Sequence, residues 1–290
     1  MKVKSVKTII GDYIFVFLCV IVAVICLTPM ISLLAKSLSS TKYLVAGEVF
    51  FLPKGLNFKA YAYVLKEEKY IRSFIWTVLL TVICTLVSLT ITSFCAYPLI
   101  YDNLKGKKVI NVLITFTMFF NAGMIPNYML MKSLHFINNP LVLIVPSCLS
   151  IYNMIIMRSF FYGIPDSLRE SAEMDGASFF KIFTNIYLPL SKPVYATLAL
   201  FYAVGRWNGY TDALMYVNDE KLYPLQRYLY DILNSAKQVE ASRLESQSVV
   251  GMAESMKDAV VMFSTIPILL VYPWLQRYFI AGATLGAVKE

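Results

Sequence analysis

Long uncharged runs constrain this chain more than any other feature. Residues 13–35, 73–100, 109–131, 139–157 and 259–276 contain no Asp, Glu, Lys or Arg, and 193–217 contains only Arg206 and Asp212. A helix that crosses a bilayer needs about 20 mostly apolar residues. Each run comes close to or exceeds that length, so the sequence predicts an all-α membrane protein with six transmembrane helices. The composition agrees: 58% of residues are apolar and 15% are charged, against roughly a quarter charged in a soluble domain. Mean hydropathy is +0.62.

The first run follows Lys2, Lys4 and Lys7, as a signal peptide would. It is too long for such a segment and no small-x-small cleavage site follows, so it is expected to stay as an uncleaved span. Lys105, Lys107 and Lys108 lie between the second and third runs, and Arg158, Arg169, Lys181 and Lys192 between the fourth and fifth. Short loops rich in Lys and Arg face the cytoplasm. That rule places both termini and the 158–192 loop inside the cell. The expected organisation is residues 1–72 for the tail, first span and external connector, 73–276 for the core, and 277–290 for a cytosolic tail.

The five cysteines (Cys19, Cys26, Cys84, Cys95 and Cys148) all fall inside apolar runs without a C-x-x-C pair. They are expected to be small buried hydrophobes rather than metal ligands or disulfides. The single histidine, His135, lies in a polar link, which argues against a metal site or a His-based triad. The net charge of +8 is scattered over connectors, with no basic stripe that would suit nucleic acid.

One stretch breaks the apolar pattern: ESAEMDGASFFKIFTNIYLP, residues 170–189. Ser167 and Glu170 have capping-box spacing. Gly176 suits a left-handed helix end. Ser178 opens a second helix, expected to end at Pro189, whose Phe179, Ile182, Phe183 and Ile186 share one face. The reading is two short helices with a glycine elbow, held in the cytosol. On physics alone it could equally be a greasy hairpin lying on the bilayer.

Residue by residue, the stretch resembles the EAA loop of binding-protein-dependent ABC transporter permeases. That pattern is E-A-A, three residues, G, nine residues, I-x-L-P, and here it reads Glu170-Ser171-Ala172, Gly176, Ile186-Tyr187-Leu188-Pro189, with Ser171 as the one departure. FFNAGMIPNYMLMKSL, NMIIMRSFFYGIPDSLRESAEMDGAS, LPLSKPVYATLALFYAVGRWNGYTDAL and QRYFIAGATLGAVKE resemble the carbohydrate-uptake branch, the multi-sugar and lipoprotein-linked oligosaccharide permeases. The resemblance implies a coupling loop that docks on a cytosolic ATPase through Glu170, Ser171, Ala172, Asp175 and Gly176. It implies as partners a second permease subunit, a dimeric ATPase that binds ATP and Mg, an extracellular solute-binding lipoprotein and a carbohydrate in a bacterial cell membrane. The tail at 282–289 would reach toward the ATPase. No two glycines stand five apart, so the chain has no P-loop of its own and no cofactor is expected in it.

A charge inside a spanning helix is costly and commonly faces a cavity or a partner. Arg206 and Asp212 are six apart, too far for a direct i, i+4 pair. Gly205 and Gly209 form a G-x-x-x-G that permits close helix packing. One reading is a helix contact, with Arg206 paired to a neighbouring chain. The other is that Arg206, Trp207, Asn208 and Asp212, with Asn121 and Asn153 from other spans, line a sugar route. A permease for a non-sugar solute, a membrane-embedded protease and an ion-coupled secondary transporter are the alternatives. The protease lacks its second intramembrane acid or an intramembrane His, and the transporter lacks paired halves.

Overall fold

The computed structural model describes residues 6–242, 255–271 and 273, and every regular element among them is helical. The chain divides into two compact units, one built from Met1–Glu68 and Leu229–Ile266, the other from Lys69–Tyr228 and Pro267–Glu290.

In the first unit α1 (Val6–Ser37) dominates. Its side chains from Tyr13 to Leu27 are almost all exposed, as suits a helix whose solvent is lipid. Cys19 and Cys26 are exposed with them, contrary to the expected burial, because among the described residues nothing covers α1 along this length. Only the end of α1 is covered. There Ala35, Leu44 and Val49 form a small core with Tyr43, built with α2 (Thr41–Val45). The Tyr61 hydroxyl on α3 (Lys59–Lys66) lies 2.7 Å from Ser37 Oγ. The Tyr61 ring meets Phe263, on a helix over 255–271, at 5.3 Å.

In the second unit α4 (Glu68–Ala96) runs on into a 3-10 turn at Pro98–Ile100. The third apolar run is not one straight helix. It forms α5 (Lys107–Phe119) and α6 (Met124–Ser133), bent by 114°. The break has a local cause: Asn121 Oδ1 accepts from Gly123 N at 2.9 Å, and Gly123 takes φ +92, a region that favours glycine. The fourth run is a 3-10 turn (Pro140–Leu143), a turn segment containing Pro146, and then α7 (Ile151–Tyr162), capped where Ser150 Oγ accepts from Asn153 N. α8 (Asp166–Met174), α9 (Phe179–Ile182), a π-helical turn (Phe183–Tyr187) and α10 (Leu188–Leu190) form the 158–192 loop.

The fifth run is α11 (Lys192–Asn208) followed by α12 (Thr211–Tyr216), interrupted where Gly209 turns extended. A helix, α13 (Leu225–Ser242), follows. Among the described residues two helices are long and apolar enough to cross a membrane, and the bent pair counts as a third. The remaining runs are assembled from shorter pieces. QRYFIAGATLGAVKE and the expected tail at 282–289 lie outside the described residues.

Among the described residues, two apolar cores lie in the second unit. One joins Ala96, Tyr97, Leu99 and Ile100 to Met154, Met157 and Phe161 of α7, to Ile182, Phe183 and Tyr187, and to Leu198 of α11. The other joins Leu80 and Cys84 of α4 to Val142, Leu143, Ala213 and Val217. The loop sits on the first core, and a cavity opens beside the second.

Candidate functional site

The loop is built largely as its sequence suggests, with two corrections. The expected capping box does not form. α8 starts at Asp166 behind Pro165, whose cap makes no side-chain bond, so Ser167 is already inside the helix. Its end fits a Schellman motif: Gly176 has φ +75, Ala177 N donates to Ala172 O at 2.9 Å, and Gly176 N donates to Glu173 O at 3.0 Å. Ser178 caps the next helix by accepting from Lys181 N.

Pro189 does not end that helix. The π turn before it, with Leu188 N donating to Phe183 O, lets the chain pass through a proline that offers no N–H. The wider turn also rotates the apolar face. Ile182, Phe183 and Tyr187 are buried, whereas Phe179 is 66% exposed.

Aromatic side chains fasten this loop to the end of α4. The Tyr97 hydroxyl donates to Phe179 O at 3.1 Å and lies 2.6 Å from the Tyr101 hydroxyl. The Tyr97 ring meets Phe183 at 5.0 Å and Tyr187 at 5.1 Å. Arg169 of α8 lies over the Tyr101 ring at 5.0 Å and pairs with Asp166 at 3.1 Å. Burial pushes the Tyr187 phenol up to about 12 and also raises that of Tyr101, so both stay neutral and can act as hydrogen-bond donors.

Of the predicted docking residues, Glu170, Ser171, Asp175 and Gly176 are exposed. Ala172 is half-buried, turned onto the core. Met174, beside them, is 89% exposed. It lies between the E-S-A and the glycine, and with Leu168 it is one of two large apolar residues exposed on this short helix.

The second site is a cavity of about 520 Å³ in the same unit. Arg206, Asn208, Asp212 and Asn153 all line it. Arg206 and Asp212 do pair. α11 stops at Asn208, so the chain folds back and the guanidinium meets the carboxylate through two bonds, Nη1 to Oδ2 and Nη2 to Oδ1. Nη1 also donates to Leu143 O and Nη2 to Gly209 O, each at 3.1 Å. The six-residue spacing had argued against a direct pair because it assumed an unbroken helix.

The other predicted residues lie elsewhere. Trp207 is buried edge-on against Phe74 at 5.9 Å, and Asn121 is exposed at the α5–α6 break. Among the described residues no atom lies within 4 Å of where a side chain at Gly205 would start. Cys84, Ser88, Ser147, Ser150 and Tyr202 line the cavity and were missed. The signal was present in α4, where Ser73, Thr77, Thr81, Cys84, Ser88 and Thr92 recur at helical spacing within an apolar run.

The model of the family described as "Binding-protein-dependent transport system inner membrane component" matches residues 70–284. The chain is 38% identical over 291 residues to the polygalacturonan/rhamnogalacturonan transport system permease protein YtcP of Bacillus subtilis, covering 100% of both chains. It is 38% identical over 268 residues to protein LplC of Bacillus subtilis, covering 92% of this chain and 91% of that one. Among solved structures it is similar, at 34% identity and a TM-score of 0.86, to a chain of a bacterial ABC transporter involved in the import of the acidic polysaccharide alginate, covering 96% of this chain and 100% of that one.

Proposed function

The chain belongs to the binding-protein-dependent transport system inner membrane components, and from that premise we propose that it carries oligosaccharides across a bacterial cell membrane. It is a permease subunit of an ATP-driven importer and not an enzyme, since ATP is hydrolysed on a separate subunit. The oligosaccharide reading rests on its full-length likeness to a permease named for polygalacturonan and rhamnogalacturonan transport.

In this reading the six apolar runs are six spans, some of them broken, with residues 73–276 as the core and both termini in the cytoplasm. A second, different membrane subunit completes the pathway. A solute-binding protein delivers the sugar from outside. A dimeric ATPase, holding ATP and Mg, grips the 158–192 loop through Glu170, Ser171, Asp175 and Gly176, with Ala172 setting the elbow beneath them. The exposure of those four residues on a loop braced from behind by Tyr97 and Tyr101 supports this role. Arg206, Asn208, Asp212 and Asn153 are proposed to border the sugar route.

The test is co-purification of the ATPase with this chain, comparing wild type with Glu170→Lys and Gly176→Pro. Loss of the ATPase from both variants, with normal membrane insertion, is the expected result. Equal retention in all three removes the loop from the docking role and favours an interfacial hairpin.

A further inference from the structure

A basic cluster gathers where the start of α5 meets the end of α7. Lys107 Nζ lies 5.4 Å from the centroid of the Tyr162 ring, and one turn further in the Arg158 guanidinium donates to Asn111 Oδ1. α5 advances from 107 to 111 while α7 steps back from 162 to 158, so the two helices run antiparallel here. Asn111 stands four residues inside α5, about 6 Å along its axis at the helical rise. Residues 107, 111 and 114 of α5 are half-buried. Val109, Val112, Leu113 and Phe116 are exposed and share one face of α5, an apolar strip that begins beside the cluster.

The charges at this junction are unbalanced. Lys105, Lys107 and Lys108 follow a single acid, Asp102, whose carboxylate meets Lys107 Nζ at 2.8 Å. With Arg158 there are four basic residues against one acid. Lys105 and Lys108 are exposed, and Arg158 is half-buried with its Nε and Nη2 reaching the surface. A guanidinium has five N–H donors, and Asn111 takes one of them with a neutral oxygen. A full charge one turn inside a spanning helix is costly, and a long arginine stem lets the head reach for the polar boundary. The guanidinium fork matches phosphate oxygens, and basic pockets between spanning helices suit anionic headgroups. A phospholipid meets both features at once, with its phosphate at the cluster and its acyl chains on the apolar strip.

We propose that the α5–α7 junction binds the phosphate of an anionic phospholipid, with Arg158 as its contact residue. Lys105 and Lys108 add to the local positive field. Asn111 orients the guanidinium, and Lys107 is held back by Asp102 and Tyr162. The acyl chains lie along Val109, Val112, Leu113 and Phe116. The site needs only that the chain sits in a membrane, so it stands whichever solute is carried. The positive-inside rule makes the leaflet the cytoplasmic one.

The experiment uses the assembled importer, with its second membrane subunit and ATPase, equilibrated in detergent with an equimolar mixture of phosphatidylglycerol and phosphatidylcholine. Native mass spectrometry then counts the lipids that stay bound. Wild type should prefer phosphatidylglycerol about fivefold more strongly than Arg158→Gln, the size expected of one basic residue at a membrane surface. Arg158→Lys should keep part of that preference. Lys221→Gln, which removes an exposed charge on the 3-10 turn at Glu220–Leu222, should keep all of it. Lys105→Gln combined with Lys108→Gln changes exposed side chains alone and should also lower the preference, so the test survives if Arg158→Gln fails to assemble. Equal preference in wild type and in these variants overturns the site. Release of the bound lipid by inorganic phosphate overturns the lipid assignment and leaves a simple anion site. A thermal midpoint that Arg158→Gln lowers equally in phosphatidylglycerol and phosphatidylcholine nanodiscs also overturns it, since Arg158 would then serve packing or a carboxylate of the second membrane subunit.

Discussion

The Tyr97 hydroxyl donates to the Phe179 carbonyl at 3.1 Å, across 82 residues of sequence. Tyr97 stands just beyond the end of α4, the helix that also carries Cys84 and Ser88 into the cavity. One helix thus touches both the exposed loop and the cavity wall. Tyr97→Phe keeps the ring contacts and removes the hydroxyl, at a net cost of about 1 kcal/mol. The expected outcome is normal ATPase co-purification with a severalfold smaller stimulation of ATP hydrolysis by loaded binding protein. Stimulation equal to wild type would show that the ring contacts alone brace the loop.

Gly176 offers a second test of the same loop. Its φ of +75 closes the Schellman turn over Ala172, with open space where a side chain would sit. Gly176→Ala therefore meets no clash, only the backbone penalty of about 1–2 kcal/mol for a left-handed non-glycine residue. Amide exchange over 170–177 should quicken, and ATPase retention should fall less than in Gly176→Pro. Unchanged exchange would mean the turn tolerates the conformation.

The sequence made the loop more legible than the spans. Its elbow is local chemistry, and Gly176 and Ser178 act where their residue types predict. The π turn was hidden because nothing in FTNIY marks an i, i+5 bond; only Pro189, read as a stop, pointed to it. The breaks at Gly123 and Gly209 lie inside runs apolar enough to look continuous, since hydropathy is insensitive to backbone direction. The Arg206–Asp212 pair was obscured for the same reason: six residues cannot meet on a helix, but they meet readily across a break. The spacing of Ser88 and its neighbours marks a polar stripe on α4, but that the stripe borders a cavity depends on α7 and α11 packing beside it.

The Lys69–Glu220 ion pair, 2.6 Å, gives a pH signature. The hydrogen bond from Lys69 holds the Glu220 carboxyl below its ordinary value of 4.5. A depressed carboxyl stabilises the fold in full above that ordinary value, and the contribution fades as pH falls through the lowered one. The pair is exposed, so the effect is small and sensitive to salt. Thermal unfolding in detergent should show a slightly steeper acid-side decline for wild type than for Glu220→Gln, and the difference should vanish at high salt. A difference that persists at high salt would assign it to another group.

Arg206 and Asp212 supply the prediction with the largest expected effect. The guanidinium is nearly buried and satisfies two carbonyls as well as the carboxylate. Asp212→Ala strands that charge, and breaking a buried pair from one side costs about 3–5 kcal/mol. Removing both charges with Arg206→Met and Asp212→Leu together should cost less than Asp212→Ala alone, since no ion is left buried. Gly209→Ala reaches the same group by another route. Its Cβ would stand 2.8 Å from Arg206 Nη2, on a backbone that any residue can adopt. The guanidinium must then shift, and the thermal midpoint should drop toward that of Asp212→Ala. Because Gly209→Ala and Asp212→Ala disturb one network, their combined effect should be smaller than the sum of the two. A strictly additive cycle would mean that Gly209 acts through the chain break rather than through Arg206.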